Sequence, residues 1–256
     1  MAYYHSYYPP YVSAAERKRR GAREVARRMK KGLLPEPVAI EGLKIARTFW
    51  GGAWCTHLES YSDYANRLPR GRTYVRNGSV LHLAIAKGRI DALVQGSELY
   101  EVTVTIEPLA KPPWQRIVRE CSGRIDSLVD LLKGKLSDGV MRVVTDRERG
   151  LFPSPRQIAL ECSCPDHATM CKHVAATLYG VGARLDQRPE LLFLLRGVDH
   201  VELVTAATSA TANVARPAAR GARKRLATGD LSSVFGIEID EGPAPRAKGA
   251  RKSRVR

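Results

Sequence analysis

At 256 residues and 44% apolar content the chain is long enough for one substantial domain or two small ones, which excludes a wholly disordered protein. No run of about 18 uncharged apolar residues occurs, so no membrane-spanning helix is expected. The formal net charge of +16, with a pI near 9.9, points to a polyanionic partner and away from a basic one.

The N-terminus, MAYYHSYYPPYVSAAERKRR, sets aromatics and prolines ahead of its charges. A secretory signal has the reverse order, so the expected location is cytoplasmic. Segment 1–37 is this aromatic leader followed by a basic stretch, 16–31 (ERKRRGAREVARRMKK), with nine basic and two acidic residues. Val25, Met29 and Leu33 recur every four residues, which predicts an amphipathic helix over 14–31 with a strongly basic face. Its candidate nucleic-acid contacts are Arg17, Lys18, Arg19 and Arg20. Segment 205–256 carries eleven basic and four acidic residues, so the two ends hold 14 of the 16 net charges and the body between them is close to neutral. Basic ends on a neutral body fit electrostatic contact with nucleic acid. Charge alone fits a pair of solvated tails as well.

Segment 38–139 reads as an α+β region. TFWGGAWCTHL (48–58) opens a helix that 61–68 is expected to continue. Asn77-Gly78 then signals a hairpin between strands 72–76 and 79–86. Lys87-Gly88 turns into a strand over 89–94, and alternating Val102, Val104 and Ile106 predict a further strand over 100–107. The expectation is a four-stranded antiparallel meander. Arg70, Arg72 and Arg76 of RGRTYVR, alternating around Tyr74, are candidate contacts to phosphates and bases; an exposed strand face explains the same pattern. Helices are expected over 113–121 and 125–136.

Segment 140–204 contains a strand (157–161), the motif CSCPDHATMCKH (162–173), a helix (172–185) and a short helix within 186–197, with Pro189 suited to its first turn. Cys162, Cys164, Cys171 and His173 offer three thiolates and an imidazole, the donors that tetrahedral zinc prefers. Cys162 and Cys164 point to one side of a strand end. Successive helical residues turn about 100°, so Cys171 and His173 converge only if Cys171 sits at or before the helix N-cap. One structural Zn2+ is therefore expected. His167 is an alternative to His173. A Cys162–Cys164 disulfide would be strained, and three clustered cysteines suit a nucleophile–base pair poorly. Cys55-x-His57 lacks a second half, and Cys55 and Cys121 are expected to be structural.

The tail 205–256 is low in complexity and expected to be disordered. One island, DLSSVFGIEID (230–240), breaks it, with Leu231, Val234, Phe235 and Ile237 as candidate partner-docking residues. No GxxxxGK[ST], GxSxG or GxGxxG motif and no paired acidic cluster occurs, so the chain is expected to bind rather than catalyse, with no small-molecule substrate.

CSCPD…CKH, with a strand before it and HVAATLYGVGARLDQRPELLFLLR after it, resembles the SWIM zinc finger. TFWGGAWCTHLESYSDYANRLPRGRTYVRNG and VQGSELYEVTV look like the N-terminal half of bacterial stand-alone SWIM proteins, so the resemblance covers about 35–200. It implies an antiparallel meander with helices followed by a small treble ββα-like zinc-binding domain. It also implies DNA or protein binding, with a Swi/Snf-type helicase-like ATPase as a possible partner. The first reading is a nucleic-acid-binding module; the alternative is an adaptor that recruits or assists such an ATPase.

Overall fold

The computed structural model describes residues 12–29, 32, 34–61, 67–122, 124–125, 127–166 and 168–205. The leader up to residue 11, His167 and the tail with its 230–240 island lie outside the described residues. In chain order the elements are α1 (Ala14–Met29), α2 (Phe49–Glu59), α3 (Leu68–Arg76), β1 (Val80–Ala86), β2 (Arg89–Gln95) and β3 (Leu99–Ile106). They continue as α4 (Lys111–Cys121), α5 (Leu128–Lys133), α6 (Asp138–Thr145), β4 (Ile158–Cys162), α7 (Lys172–Gln187) and α8 (Glu190–Arg196). The fold is α+β, with one four-stranded antiparallel sheet in the order β1-β2-β3-β4.

The alternation in β3 does what the sequence implies: Tyr100, Val102, Val104 and Ile106 are buried while Glu101 and Thr105 stay exposed. The β1–β2 turn uses Gly88 at φ +68°, a left-handed conformation that glycine adopts without steric cost. The fourth strand is not the expected one. Residues 72–76 belong to helix α3, which Pro69 starts and Asn77 ends. Asn77 keeps φ −75° and only Gly78 is left-handed, at +64°, so this pair is a helix stop and not a two-residue hairpin turn. Leu68, Gly71 and Val75 form the buried stripe of α3 at helical spacing. Likewise α2 ends at Glu59 instead of running on through Tyr61, and the helix expected over 125–136 is confined to α5, ended by left-handed Gly134.

β4 takes the fourth place, with Val104 opposite Leu160 and Val102 opposite Cys162. The boundary expected at 139/140 is thus crossed by the sheet, and one continuous core includes residues from both sides of it. At the centre of that core lies α7, whose residues 173–182 are all buried. Trp54 of α2 donates its indole N–H to the Leu178 carbonyl (2.8 Å), and Trp50 donates to the Leu131 carbonyl (2.9 Å). Asp186, in the last turn of α7, accepts from the amides of Arg47 (2.5 Å) and Thr48 (3.0 Å) and so satisfies donors at the start of α2. A smaller cluster, Val25 with Leu81, Leu93 and Leu99, seats α1 on the sheet.

Two buried histidines give the fold a pH dependence. His82 Nδ1 accepts the Glu36 amide (3.1 Å), and His57 Nε2 donates to the Pro153 carbonyl (3.1 Å). Burial holds both below the ordinary imidazole value of 6.5. The unfolded chain therefore binds protons that the folded one refuses, and stability is full above pH 6.5 and falls as pH drops below it. The expected loss is up to about 1.4 kcal/mol per pH unit for each histidine. Urea denaturation followed by tryptophan fluorescence between pH 7.5 and 5.5 checks this, and His82→Gln should flatten the slope.

Candidate metal centre

Inner residues of β4, Ile158, Leu160 and Cys162, alternate with exposed Ala159 and Glu161, so Cys162 ends the strand facing the core. Past it the chain is tied back to β3. Ser163 N donates to the Glu101 carbonyl (3.0 Å), and Glu101 N donates to Ser163 Oγ (2.9 Å). Cys164 follows on this pinned segment. The return loop is held by Asp166, which accepts the Ala168 amide (3.2 Å) and pairs with Arg67 (3.4 Å). Cys171 is the N-cap of α7 (φ −82°, ψ 171°), and its Sγ accepts the Val174 amide at 3.5 Å. That position meets the condition set by the Cys-x-His spacing, and His173 lies in the first helical turn.

The four ligand atoms lie within 4.8 Å of one another. Cys162 Sγ and Cys171 Sγ each stand 3.8 Å from His173 Nδ1. Zinc bonds of about 2.3 Å to sulfur and 2.0–2.1 Å to nitrogen set tetrahedron edges of about 3.6–3.8 Å. The donors therefore fit a four-coordinate cation, and three sulfurs with one imidazole favour a borderline-soft metal. With four protein ligands the coordination shell is closed, which is the structural and not the catalytic pattern.

The imidazole is held on several sides. The Tyr100 ring lies 4.4 Å from it at an interplanar angle of 32°, and the Tyr74 ring meets it edge-on at 5.4 Å. A methyl group at Gly96 would come within 2.6 Å of His173 Nε2 and 2.8 Å of the Tyr100 ring, so only glycine leaves room for this ring. Nε2 is buried without a hydrogen-bond partner among the described residues, which leaves Nδ1 as the nitrogen aimed at the sulfurs. The thiols are electrostatically unequal. A hydrogen bond from Cys162 pulls Cys171 well below the ordinary thiol range, helped by His173 and by the Val174 amide at the positive end of α7. The same hydrogen bond, with burial, pushes Cys162 up.

Cys55 and Cys121 stand outside this cluster as packed thiols, and burial pushes them up to about 12 and about 11. Sequence reasoning missed Tyr74, Tyr100 and Gly96 as the cradle of His173. Tyr100 and Gly96 lie about 75 residues away in the chain, and nothing in QGSELY marks them as neighbours of the motif.

The arginines singled out from sequence fare unequally. Arg72 is engaged internally, donating from Nε to Tyr179 Oη (2.7 Å) and pairing with Glu59 (2.9 Å). Arg20 pairs with Glu16 (3.2 Å). Arg70 and Arg76 are exposed on α3 and have no ion pair among the described residues, as is true of Arg19 on α1. Lys18 Nζ reaches the Asn77 carbonyl (3.5 Å) at the end of α3. A small cleft of about 100 Å³ between the two helices is lined by Arg17, Lys18, Tyr74 and Asn77, among others. Thus Arg17 and Lys18 of α1 lie beside Tyr74 of α3, whose ring also meets His173, while the arginines of α3 are not part of this cleft.

Among known proteins, the chain is 35% identical over 178 residues to the uncharacterized protein Rv2102 of Mycobacterium tuberculosis. That alignment covers 68% of this chain and 64% of Rv2102, so it spans less than two thirds of the relative's length. No family model matches the chain, and no solved structure matches it. Among the described residues no helix is long and apolar enough to cross a membrane.

Proposed function

We propose that the chain is a SWIM-type zinc-finger protein that holds one structural zinc ion and acts as a nucleic-acid-binding module, with DNA as the expected polymer, and not as an enzyme. The observation that carries this reading is the meeting of Cys162, Cys164, Cys171 and His173 within 4.8 Å at a strand end and a helix start. Bound there, zinc supplies a cross-link between β4 and α7. The protein's own residues do the rest. Cys171 caps α7, Tyr74 and Tyr100 fix the imidazole, and exposed Lys18 and Arg19 on α1 and Arg70 and Arg76 on α3 are the groups offered to phosphates. Arg20 and Arg72 become available only on leaving Glu16 and Glu59.

The test joins metal and polymer. Elemental analysis of protein purified without chelator should find one zinc per chain. Anisotropy titration of a labelled DNA duplex should show affinity falling steeply with salt. Lys18→Glu/Arg19→Glu should make the log–log salt slope shallower by about two. Absence of zinc, or absence of salt-dependent binding, overturns the reading. Capture of a helicase-like ATPase that survives nuclease treatment would move the function to the adaptor alternative.

A further inference from the structure

The body between the two basic ends is nearly neutral in sequence, yet the fold does not spread its charges evenly. A cleft of about 310 Å³ between α4 and α6 is lined by Arg116, Arg124, Arg142 and Arg149, with Glu120 and Asp146 as its acids. Both acids are already occupied. Glu120 pairs with Arg116 (3.6 Å), and Asp146 Oδ1 accepts the backbone amides of Glu148 (3.0 Å) and Arg149 (2.6 Å). Arg116 also donates to the Arg149 carbonyl, which draws these two residues together. Arg124 and Arg142 are exposed and have no carboxylate partner among the described residues. Several arginines elsewhere are paired, Arg28 with Glu101, Arg67 with Asp166, Arg89 with Asp91 and Arg188 with Glu190, while Arg19, Arg70 and Arg76 have no ion pair among the described residues.

Arg124 reaches across from the end of α4 to α6. Its guanidinium lies against the first turn of α6, where a methyl group at Gly139 would come within 3.3 Å of Nη1. That turn also carries Asp138, and Arg142 lies in the last turn of α6, so the helix's own charges follow the order its dipole favours. Two exposed guanidinium forks with no carboxylate partner among the described residues, in a cleft whose lining acids turn to other partners, describe a receptor for an oxyanion.

We infer that the α4–α6 cleft, through Arg124 and Arg142, binds the phosphodiester backbone of a nucleic-acid strand as a contact separate from the basic groups of α1 and α3. This rests on the nucleic-acid reading above and adds the place where the body of the protein engages the polymer. Planar guanidinium forks match phosphate oxygens two at a time, and the open form of the cleft suits a chain passing through it.

The experiment uses the full-length, metal-loaded protein and a fluorescein-labelled oligonucleotide, single-stranded and duplex, in anisotropy titrations over a range of chloride concentrations. Arg124→Glu/Arg142→Glu should weaken binding of at least one probe about tenfold or more at low salt and reduce the log–log salt slope by about two. Metal content and Tm should stay unchanged. Arg124→Gln/Arg142→Gln should shift binding in the same direction by less, and serves if the glutamate pair misfolds. Binding unchanged in both double variants, with the Lys18→Glu/Arg19→Glu variant impaired, overturns the cleft and leaves the nucleic-acid reading standing. No binding by the unmodified protein overturns both. Displacement of the probe by inorganic phosphate, beyond that by chloride of equal ionic strength, assigns the cleft to a free phosphate and overturns the polymer assignment.

Discussion

Cys171→Ser should lose its metal and melt roughly 8–16 °C below the unaltered protein, on a loss of about 4 kcal/mol at about 2–4 °C per kcal/mol for a fold of this size. Two roles meet in that one sulfur. It is one of four candidate metal donors, and it caps α7 by accepting the Val174 amide. Serine restores the cap, because its hydroxyl accepts the same amide, but not the thiolate. The loss therefore reads metal binding and not helix capping. Treatment of the unaltered protein with a strong chelator should reproduce most of the shift. Cys55→Ser should keep its full metal content, since that thiol packs against Gly182 away from the cluster. Calorimetry with parallel elemental analysis checks all three, and full metal content in Cys171→Ser would refute the site.

The second large effect needs no ligand change. Gly71→Ala should destabilise the fold by about 2 kcal/mol, within the usual range for overpacking. Alanine favours a helix over glycine by about 1 kcal/mol, so the sign is decided by space. A methyl group at Gly71 would sit 2.5 Å from Ala175 Cβ, 2.8 Å from the Ala175 carbonyl carbon and 3.0 Å from the Ala176 nitrogen. Those are mostly backbone atoms of a buried helix and cannot swing aside, so α3 must lift off α7. Tyr74, one turn along α3, then leaves the edge of His173, and metal affinity should fall with stability. Gly52→Ala, on α2, is the control. Nothing lies within 4 Å of its added methyl group, and the change should be neutral or stabilising by up to about 1 kcal/mol. Urea denaturation separates the pair.

The Cys3His cluster was legible because its chemistry is local: for these residues to converge, residue type and spacing demand an N-cap at Cys171, and the fold supplies it. β1, β2 and β3 were legible from alternation and from the turn at Lys87-Gly88. RGRTYVR misled for a physical reason. Its arginines and Tyr74 alternate with period two, while the residues that decide its state, Leu68, Gly71 and Val75, follow helical spacing and include a glycine that hydropathy ignores. The pairing of β4 with β3 was hidden too. It joins residues more than fifty apart, across three helices, and strand pairing at that range leaves no periodic trace. The α4–α6 cleft stayed out of sight because its arginines come from two helices and their flanking residues, and net charge averages them away.

The spacing of the ligands also bears on the order of folding events. All four fall within a twelve-residue stretch, so gathering them closes a very short loop at small entropic cost. Completing the sheet instead requires the long excursion from β3 through α6 to be drawn in, which is slow. A nascent chain that captures its ion early thus delivers the last strand already fastened to the helix it will lie beside. With the proposed ion bound there, metal supply during synthesis would then influence the yield of native protein as well as its final stability.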